Sequence, residues 1–361
     1  MLEQLKPKKN KLTSQEQEEL FDIIGNFVST GLTVEESIEA FRADEDKESY
    51  IYKLCGVLLR DMQNGHSFSE SLAKFPKSFP PFTTGILAMA EGTGQLDTAL
   101  REISFRQKLQ DEISSKVRSA TLVPKIAGLL GIAAFLFASM WAIPRMGESL
   151  KSVDAELPLI TQVVMLFGEF CQSFWWLIFL LIGGSYFGYK WFVQKYPEKM
   201  ANITLHIPFW RPITINQVRY DFCTVTGLCI EAGIEPVQAL NYTAMATDNL
   251  FLKRLIKRSL KHISSTGMPF DEALAKEDAI PLLDHKLYRM LRAGRTTGRT
   301  GDIMKKQAEY YRKKLMDATN AVGDKVGMVV ISPIYALVAI LVTALVLPIL
   351  NVGINAATQA M

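Results

Sequence analysis

The residues best suited to chemistry lie in one short segment, Ala90–Leu96, which contains a carboxylate and two glycines. Glu91 is followed by Gly92 and Gly94, so the backbone can adopt left-handed conformations beside an acidic side chain. We expect a turn that places Glu91 just before the N-terminus of a long helix, where unpaired amides and the helix dipole favour negative charge. The carboxylate would act either within a tight capped turn or as a contact for a partner or, as a weak candidate, a metal cation.

A second segment repeats this pattern with the opposite charge. Gly298 matches Gly94 at a separation of 204 residues, and Arg295 stands where the first segment has Glu91. Neither segment predicts a phosphate-binding loop, because no strand precedes Gly92 and no Gly-Lys-Ser/Thr sequence follows it. Nucleotide binding is therefore not expected.

No catalytic or metal-binding motif is recognisable elsewhere in the sequence. The four histidines have no metal-like spacing, and Gly-x-Ser-x-Gly, HExxH and paired intramembrane carboxylates are absent. The four cysteines show no CxxC spacing, so a disulfide framework or a zinc site is not expected. The sequence therefore predicts a protein that is not an enzyme and that uses no cofactor.

Self-similarity along the chain predicts an internal duplication. Sliding the sequence by 202 positions aligns Gly31 with Gly233 and Gly65 with Gly267. These structural-repeat glycines follow apolar-periodic stretches, at positions where a left-handed residue commonly ends a helix. Each half therefore predicts a helical unit that ends in a long helix running into an apolar segment.

Helix-start signals divide each unit into six helices. Ser14, Thr33 and Ser67 each precede an apolar-periodic stretch and have Gln or Glu three residues later, as in a capping box. In the first unit the predicted helices are Ser14–Thr30, Val34–Ala43, Lys47–Asn64, Phe68–Phe75, Pro81–Ala90 and Leu96–Ser119. Alternating β patterns are absent, so the predicted fold is all-α, with the short helices of each unit packed as a compact bundle.

Three long apolar segments predict an integral membrane protein. Hydrophobic residues make up 48% of the chain and concentrate in Leu122–Ile143, Phe174–Val193 and Val326–Leu350. Each segment is close to the roughly 20 residues that cross a bilayer core. Tryptophans fall near the ends of these segments, as in interfacial aromatic belts, at positions 141, 175, 176 and 191. We therefore expect three transmembrane helices.

The distribution of Lys and Arg predicts the orientation of these helices. Residues 1–121 contain 15 Lys and Arg and residues 194–325 contain 21, whereas residues 144–173 contain two. Positive-inside counting therefore puts both bundles and the N-terminus in the cytoplasm and the C-terminus in the periplasm. The expected order is a flexible tail (1–13), bundle 1 (14–121), helix 1 (122–143), a periplasmic loop (144–173), helix 2 (174–193), bundle 2 (194–325), helix 3 (326–350) and a periplasmic tail (351–361).

The two bundles differ in charge and are therefore expected to present different faces. Residues 1–121 carry 19 Asp and Glu against 15 basic residues, and residues 194–325 carry 14 against 21. The basic runs of the second bundle lie beside a membrane whose cytoplasmic leaflet is anionic. Solvated or lipid-facing surface, or contact with a protein partner, is expected there in preference to nucleic acid.

Taken in order along the chain, these features resemble the polytopic inner-membrane platform proteins of type II secretion systems and type IV pili. The resemblance rests on Gly31 and Gly233, on the Glu91-Gly92-Thr93-Gly94-x-Leu96 segment, and on the duplication. It also rests on prolines in or beside the predicted spans, which are Pro124, Pro144, Pro158, Pro333 and Pro348. Arg295 departs from the family pattern, which has a second acidic residue at this position.

The resemblance implies a non-enzymatic function in the bacterial inner membrane. A platform of this kind would couple a cytoplasmic hexameric ATPase to extraction and polymerisation of pilin or pseudopilin subunits. The implied partners are that ATPase, the pilins, other inner-membrane assembly components, the phospholipid bilayer and further copies of the chain. A transporter with duplicated halves and a membrane enzyme are the alternatives, but neither a polar intramembrane pathway nor a convergent acid, base or metal set is present.

Overall fold

The computed structural model describes residues 11–145, 159–174 and 210–359, together with positions 183–185, 187–188, 190–191, 195 and 207. All regular structure in these ranges is helical and none of it is β-strand, which confirms the all-α prediction. The chain divides into two compact units. Unit 1 draws on residues 1–115 and 201–319, and unit 2 on residues 116–200 and 320–361.

The helices follow the predicted order in both repeats. Repeat 1 contains α1 (Ser14–Ser29), α2 (Val34–Ala43), α3 (Tyr50–Gln63), α4 (Phe68–Ala73), α5 (Pro81–Thr93) and α6 (Leu96–Phe137). A further helix, α7 (Leu159–Ser173), lies between the repeats. Repeat 2 contains α8 (Arg211–Glu231), α9 (Pro236–Met245), α10 (Leu250–Thr266), α11 (Phe270–Glu277), α12 (His285–Thr297) and α13 (Thr300–Gln359).

Local signals account for most helix ends in repeat 1. Thr33 and Ser67 both form capping boxes, with Glu36 and Glu70 as the reciprocal acceptors, as predicted. The predicted box at Ser14 is wrong by one residue. Thr13 is the N-cap, because its backbone is extended there and its side chain accepts from the amide of Glu16.

The predicted repeat glycines adopt the conformation that ends a helix. Gly31 and Gly233 have φ values of 100° and 81°, and Gly65 and Gly267 have values of 91° and 69°. A side chain with a Cβ is strained in this region, so glycine is favoured at each of these positions. Equivalent helices of the two repeats therefore end in the same way.

Both repeats share the hydrophobic core of unit 1. The cluster that contains Phe21 and Phe82 of repeat 1 also contains Val225 and Cys229 of α8. Gly85 of α5 lies so close to the end of α9 that an added Cβ would be 2.6 Å from the Cα of Ala246. Sequence analysis treated the two bundles separately and did not anticipate this joint core.

Unit 2 contains a helix where sequence analysis expected a loop. Segment 144–173 includes α7, whose Thr161 hydroxyl donates to the carbonyl of Ala344 at 3.0 Å. A Cβ at Gly168 would clash with the carbonyl of Ser139, so the missing side chain permits close packing. The segment was assigned as a loop because it lies between two longer apolar segments, but its own apolar residues form a helix of 15 residues.

Each long helix includes an apolar segment, as expected, and α13 extends further than predicted. α6 joins the predicted sixth helix to the first apolar segment without a break at Pro124, and a π-helical turn, Ala138–Ala142, follows it. α13 includes the predicted third span and continues through most of the expected tail to Gln359. In an α-helix a proline removes one hydrogen bond, but the surrounding turns can hold the helix together.

Among the described residues, one helical stretch is long and apolar enough to cross a bilayer by length and composition. It runs from Leu96 to Arg145, and its most apolar window has a mean hydropathy of 2.2 and is 18% buried. Two shorter apolar stretches are Leu159–Phe170 and Ile331–Ala344. The expected second span, 174–193, lies mostly outside the described residues, so three spans remain a prediction.

Candidate functional site

Glu91 lies in the last turn of α5 and not ahead of α6, which corrects the predicted turn. The helix continues to Thr93, and Gly94 alone ends it, with φ of 72°. Both carboxylate oxygens of Glu91 accept from Ser69 at the start of α4, one from the backbone amide at 3.1 Å and the other from the hydroxyl. The carboxylate therefore connects the end of α5 to the N-terminus of α4, where the unpaired amides favour a negative charge.

The equivalent connection in repeat 2 has its charges exchanged. Arg295 in the last turn of α12 lies 2.7 Å from Asp271 and 3.2 Å from Glu272, both in the first turn of α11. Asp271 follows Ser69 by 202 residues, and its side chain is almost completely buried. The Glu91 carboxylate bound to the start of α4 in repeat 1 thus corresponds to the Arg295 guanidinium bound to the start of α11 in repeat 2.

Gly94 and Gly298 end helices, whereas Gly92 lies within one. Gly94 and Gly298 both adopt left-handed backbone, with φ of 72° and 69°, and each donates its amide to the helix that it ends. Gly92 is helical, and an added Cβ would meet only the Tyr242 hydroxyl, at 3.8 Å. Gly94 and Gly298 therefore allow a short link between α5 and α6 and between α12 and α13.

The described residues do not support the weak metal-ligand interpretation of Glu91. No group of three or more His, Cys, Asp or Glu side chains is placed to hold a metal ion within the described ranges. Ser69 already occupies both oxygens of the Glu91 carboxylate. Among the described residues, this carboxylate thus has a structural partner and belongs to no group of three or more such side chains.

Sequence analysis missed a buried ion pair between the repeats. Arg106 of α6 donates through Nε and Nη2 to the two carboxylate oxygens of Asp221 on α8, at 3.0 and 2.9 Å. Each side chain is 12% exposed. The guanidinium also lies 3.9 Å from the centre of the Phe82 ring, so it has an aromatic face on one side and a carboxylate in its plane.

A second hydrogen bond next to this ion pair involves Glu102 and Tyr220. The Tyr220 hydroxyl donates to Glu102 Oε1 at 2.9 Å. Burial raises the pKa of Glu102, an effect that this hydrogen bond partly offsets. Burial also raises the pKa of Asp248, while the positive charge of Arg106 opposes the increase. Burial therefore favours the protonated form of two carboxyl groups near Arg106, and the positive charge of the guanidinium opposes this effect in both.

A groove of about 360 Å³ opens beside this polar cluster. Its lining includes Glu102 and Phe105 of α6, Leu228 of α8, and Lys305 and Arg312 of α13. The lining combines apolar side chains with charged ones of both signs. The sequence contains only a weak signal for this polar cluster of Glu102, Arg106, Tyr220 and Asp221. Glu102 and Arg106 are four residues apart, which places them on one face of the predicted sixth helix.

The prolines of the predicted spans occupy helical positions wherever the structure describes them. Pro124 is buried in α6, and Pro144 is half-buried in the helical turn after the π segment. Pro333 is exposed on α13, and Pro348 also lies within α13. Pro158 lies outside the described residues. Pro124, Pro144 and Pro333, whose surroundings the structure describes, therefore serve as helical residues and not as part of the polar contacts above.

The fold and the interface together define a duplicated all-α protein whose repeats share one core and one buried polar contact. The chain belongs to the family described as "Type II secretion system (T2SS), protein F", whose profile matches it twice, at residues 20–144 and 222–348. This assignment confirms the expected resemblance, and the two matches agree with the internal duplication.

Relatives in this family have names that refer to pilus assembly and secretion. Type IV pilus assembly protein TapC of Aeromonas hydrophila is 25% identical over 336 residues, which cover 91% of this chain and 79% of the relative. Type IV pilus assembly protein PilC of Pseudomonas aeruginosa is 22% identical, with 83% and 80% covered. Type II secretion system protein F of the same organism is 21% identical, with 91% and 81% covered.

Proposed function

We propose that this chain is a non-enzymatic inner-membrane platform for assembly of a type IV pilus or a type II secretion pseudopilus. The observation that carries the proposal is the double match to the protein F family, in relatives whose names refer to these two machines. The chain covers about four fifths of each of these relatives, so most of a relative's length has a counterpart here.

The proposed mechanism uses the energy of a partner. A cytoplasmic hexameric ATPase would engage unit 1 and change its position or shape, and the platform would move pilin or pseudopilin subunits out of the bilayer. α6 and α13 support this proposal because each is one continuous helix that includes residues of both compact units. A continuous helix can transmit a displacement along its axis without a hinge.

In this proposal Glu91 and Arg295 fix the geometry of the two repeats. Glu91 binds the start of α4 and Arg295 binds the start of α11, each one short link before a long helix. Gly94 and Gly298 form those links. We assign these residues to positioning of α6 and α13, and we assign no metal to Glu91.

The proposed topology has three spans, with the N-terminus and both bundles in the cytoplasm and the C-terminus in the periplasm. The charge counts and the apolar stretch Leu96–Arg145 support it. Reporter fusions after Lys11, Asp154, Lys276 and Met361 should report inside, outside, inside and outside. A cytoplasmic signal from the fusion at Asp154 would refute this topology.

The functional proposal is tested by deletion and complementation. A strain that lacks the gene should lose surface pili or secreted substrate, and the wild-type gene should restore them. The tagged chain should co-purify with a hexameric ATPase from the complemented strain. Normal pilus and secretion output in the deletion strain, with no ATPase recovered, would refute the platform function.

A further inference from the structure

One helix of repeat 2 presents a basic surface that the family assignment does not explain. α10 contains Lys, Arg and His but no acidic residue. Its apolar side, including Leu252 and Ile256, is buried in the bundle. The opposite side exposes Arg254, Lys257, Arg258 and Lys261, which we call the basic face. The spacing of three, four and seven residues puts these cations on one side of the helix.

Most of the basic face has no neutralising partner within the chain. Lys257, Arg258 and Lys261 form no ion pair with any residue that the structure describes. Two acids lie nearby but are engaged elsewhere. Glu277 is 3.9 Å from His262, and Asp278 accepts from the amides of Leu282 and Leu283.

The corresponding helix of repeat 1 lacks such a surface. α3 carries Lys53, which is paired with Glu48 at 3.1 Å, and Arg60, whose Nε donates to the carbonyl of Gly56 at 3.0 Å. Both cations of α3 therefore have partners within repeat 1. Packing alone does not require a row of unpaired cations on this helix, since the equivalent helix packs without one.

The burial pattern disfavours insertion of α10 into a membrane. An interfacial helix inserts its apolar stripe between lipids, but the stripe of α10 is already used in the protein core. Between these cations on the helix, Leu255 and Ile256 are buried and Leu260 is partly buried, and the exposed Ile280 borders only Arg254 and Arg258 at one edge of the face. An acidic protein surface suits this arrangement better.

The chain itself carries such a surface on repeat 1. Glu35 and Glu39 are exposed on one side of α2, and Asp44 and Asp46 are exposed just after it. We call these four residues the acidic face, and none of them forms an ion pair with a described residue. Glu45 lies between Asp44 and Asp46, and its pKa is raised by burial and by the neighbouring carboxylates of Glu19, Glu16, Asp44 and Asp46.

We propose that the basic face of one copy binds the acidic face of a second copy. The observation that carries this inference is opposite charge on two surfaces of the same chain, where Lys257, Arg258 and Lys261 on one surface and the four acids on the other form no ion pair with a described residue. Such a contact joins a different surface on each of the two copies. Repeating it produces a closed ring if the rotation that relates neighbouring copies closes on itself, and an open filament if it does not. The inference does not depend on the proposed platform function.

A charge-exchange experiment on the full chain tests this contact. The base-reversed variant carries Lys257→Glu, Arg258→Glu and Lys261→Glu, and the acid-reversed variant carries Glu35→Lys, Glu39→Lys and Asp46→Lys. Self-association is measured by analytical ultracentrifugation of protein in nanodiscs of neutral lipid at about 50 mM salt, where screening is weak. Each variant alone should associate at least about tenfold more weakly than wild type.

Mixing the two variants provides the decisive result. In the mixture, every contact between the variants again joins opposite charges, so association should return to the wild-type level. A control with Lys77→Glu, Lys306→Glu and Lys313→Glu changes the charge equally on other exposed surfaces and should associate normally. Unchanged association of either variant, or failure of the mixture to recover, would overturn the proposal. So would a self-association defect that appears only in nanodiscs of anionic lipid, because that result assigns the basic face to the membrane.

Discussion

Removal of one member of the Arg106–Asp221 pair should destabilise the protein far more than removal of both. Each side chain is 12% exposed, and the two form two hydrogen bonds of 2.9 and 3.0 Å. Breaking a buried pair leaves one charge without compensation and typically costs about 3–5 kcal/mol, whereas replacement of both partners by apolar side chains is often close to neutral. We therefore expect Arg106→Met and Asp221→Leu each to be strongly destabilising and the double variant to be much less so.

The two single variants leave different groups without their partner. In Arg106→Met, the carboxylate of Asp221 loses both hydrogen bonds from the guanidinium. In Asp221→Leu, the guanidinium of Arg106 keeps its charge, and it retains the Phe82 ring at 3.9 Å and the favourable interaction with Asp248. The Asp221→Leu defect should therefore be the smaller of the two.

Thermal unfolding of the detergent-purified full chain, followed by far-ultraviolet circular dichroism, measures these costs. For a unit of this size a loss of 3–5 kcal/mol corresponds to a fall in Tm of roughly 6–20 °C. The matched control is Lys108→Met on the same helix. Lys108 is 3.4 Å from Glu18 but is 53% exposed, so its loss should cost about 1 kcal/mol or less. A double variant whose Tm falls by the sum of the two single shifts would refute the coupling.

Two further predictions concern Glu102 and the Glu91 contact. Burial raises the pKa of Glu102 in the folded state. The stabilisation of the folded state by the protonated Glu102 is therefore fully present below the pKa of the unfolded state, and it is lost as the pH rises through the pKa of the folded state. Glu102→Gln keeps an acceptor for Tyr220 and should reduce the loss of Tm between about pH 4 and pH 7, and identical pH profiles would contradict this. Glu91→Arg should cost about 1–3 kcal/mol by leaving Ser69 unpaired, and Ser69→Asp in the same chain should recover much of that loss in thermal unfolding. A double variant less stable than Glu91→Arg alone would contradict the equivalence of the two repeats.

Local signals predicted the helices well because each depends on a few adjacent residues. Thr33 and Ser67 have Glu three residues later, and Gly31 and Gly65 follow complete apolar stretches. The sequence was ambiguous where two neighbouring residues fit one rule. Thr13 and Ser14 both qualify as caps, and Gly92 and Gly94 both qualify as helix ends, so two boundaries were assigned to the wrong residue.

Contacts between distant residues could not be predicted in the same way. Arg106 and Asp221 are 115 residues apart, and nothing in either neighbourhood identifies the other as a partner. α7 was missed for a related reason. The segment was assigned as a loop from its place between two longer apolar segments, whereas the contacts of Thr161 with Ala344 and of Gly168 with Ser139 hold it as a packed helix.

The exchange of charge between the two repeats bears on how the Glu91 segment works. If the negative charge itself were the functional group, repeat 2 would have lost that function, because Arg295 replaces it. Both repeats instead retain a polar connection from the last turn of the fifth helix to the first turn of the fourth. Both also retain a left-handed glycine one short link before the long helix. The common property is the position of the helix ends, so substitutions at Glu91 or Arg295 should act through the placement of α6 and α13 and should be rescued by any pair that restores it.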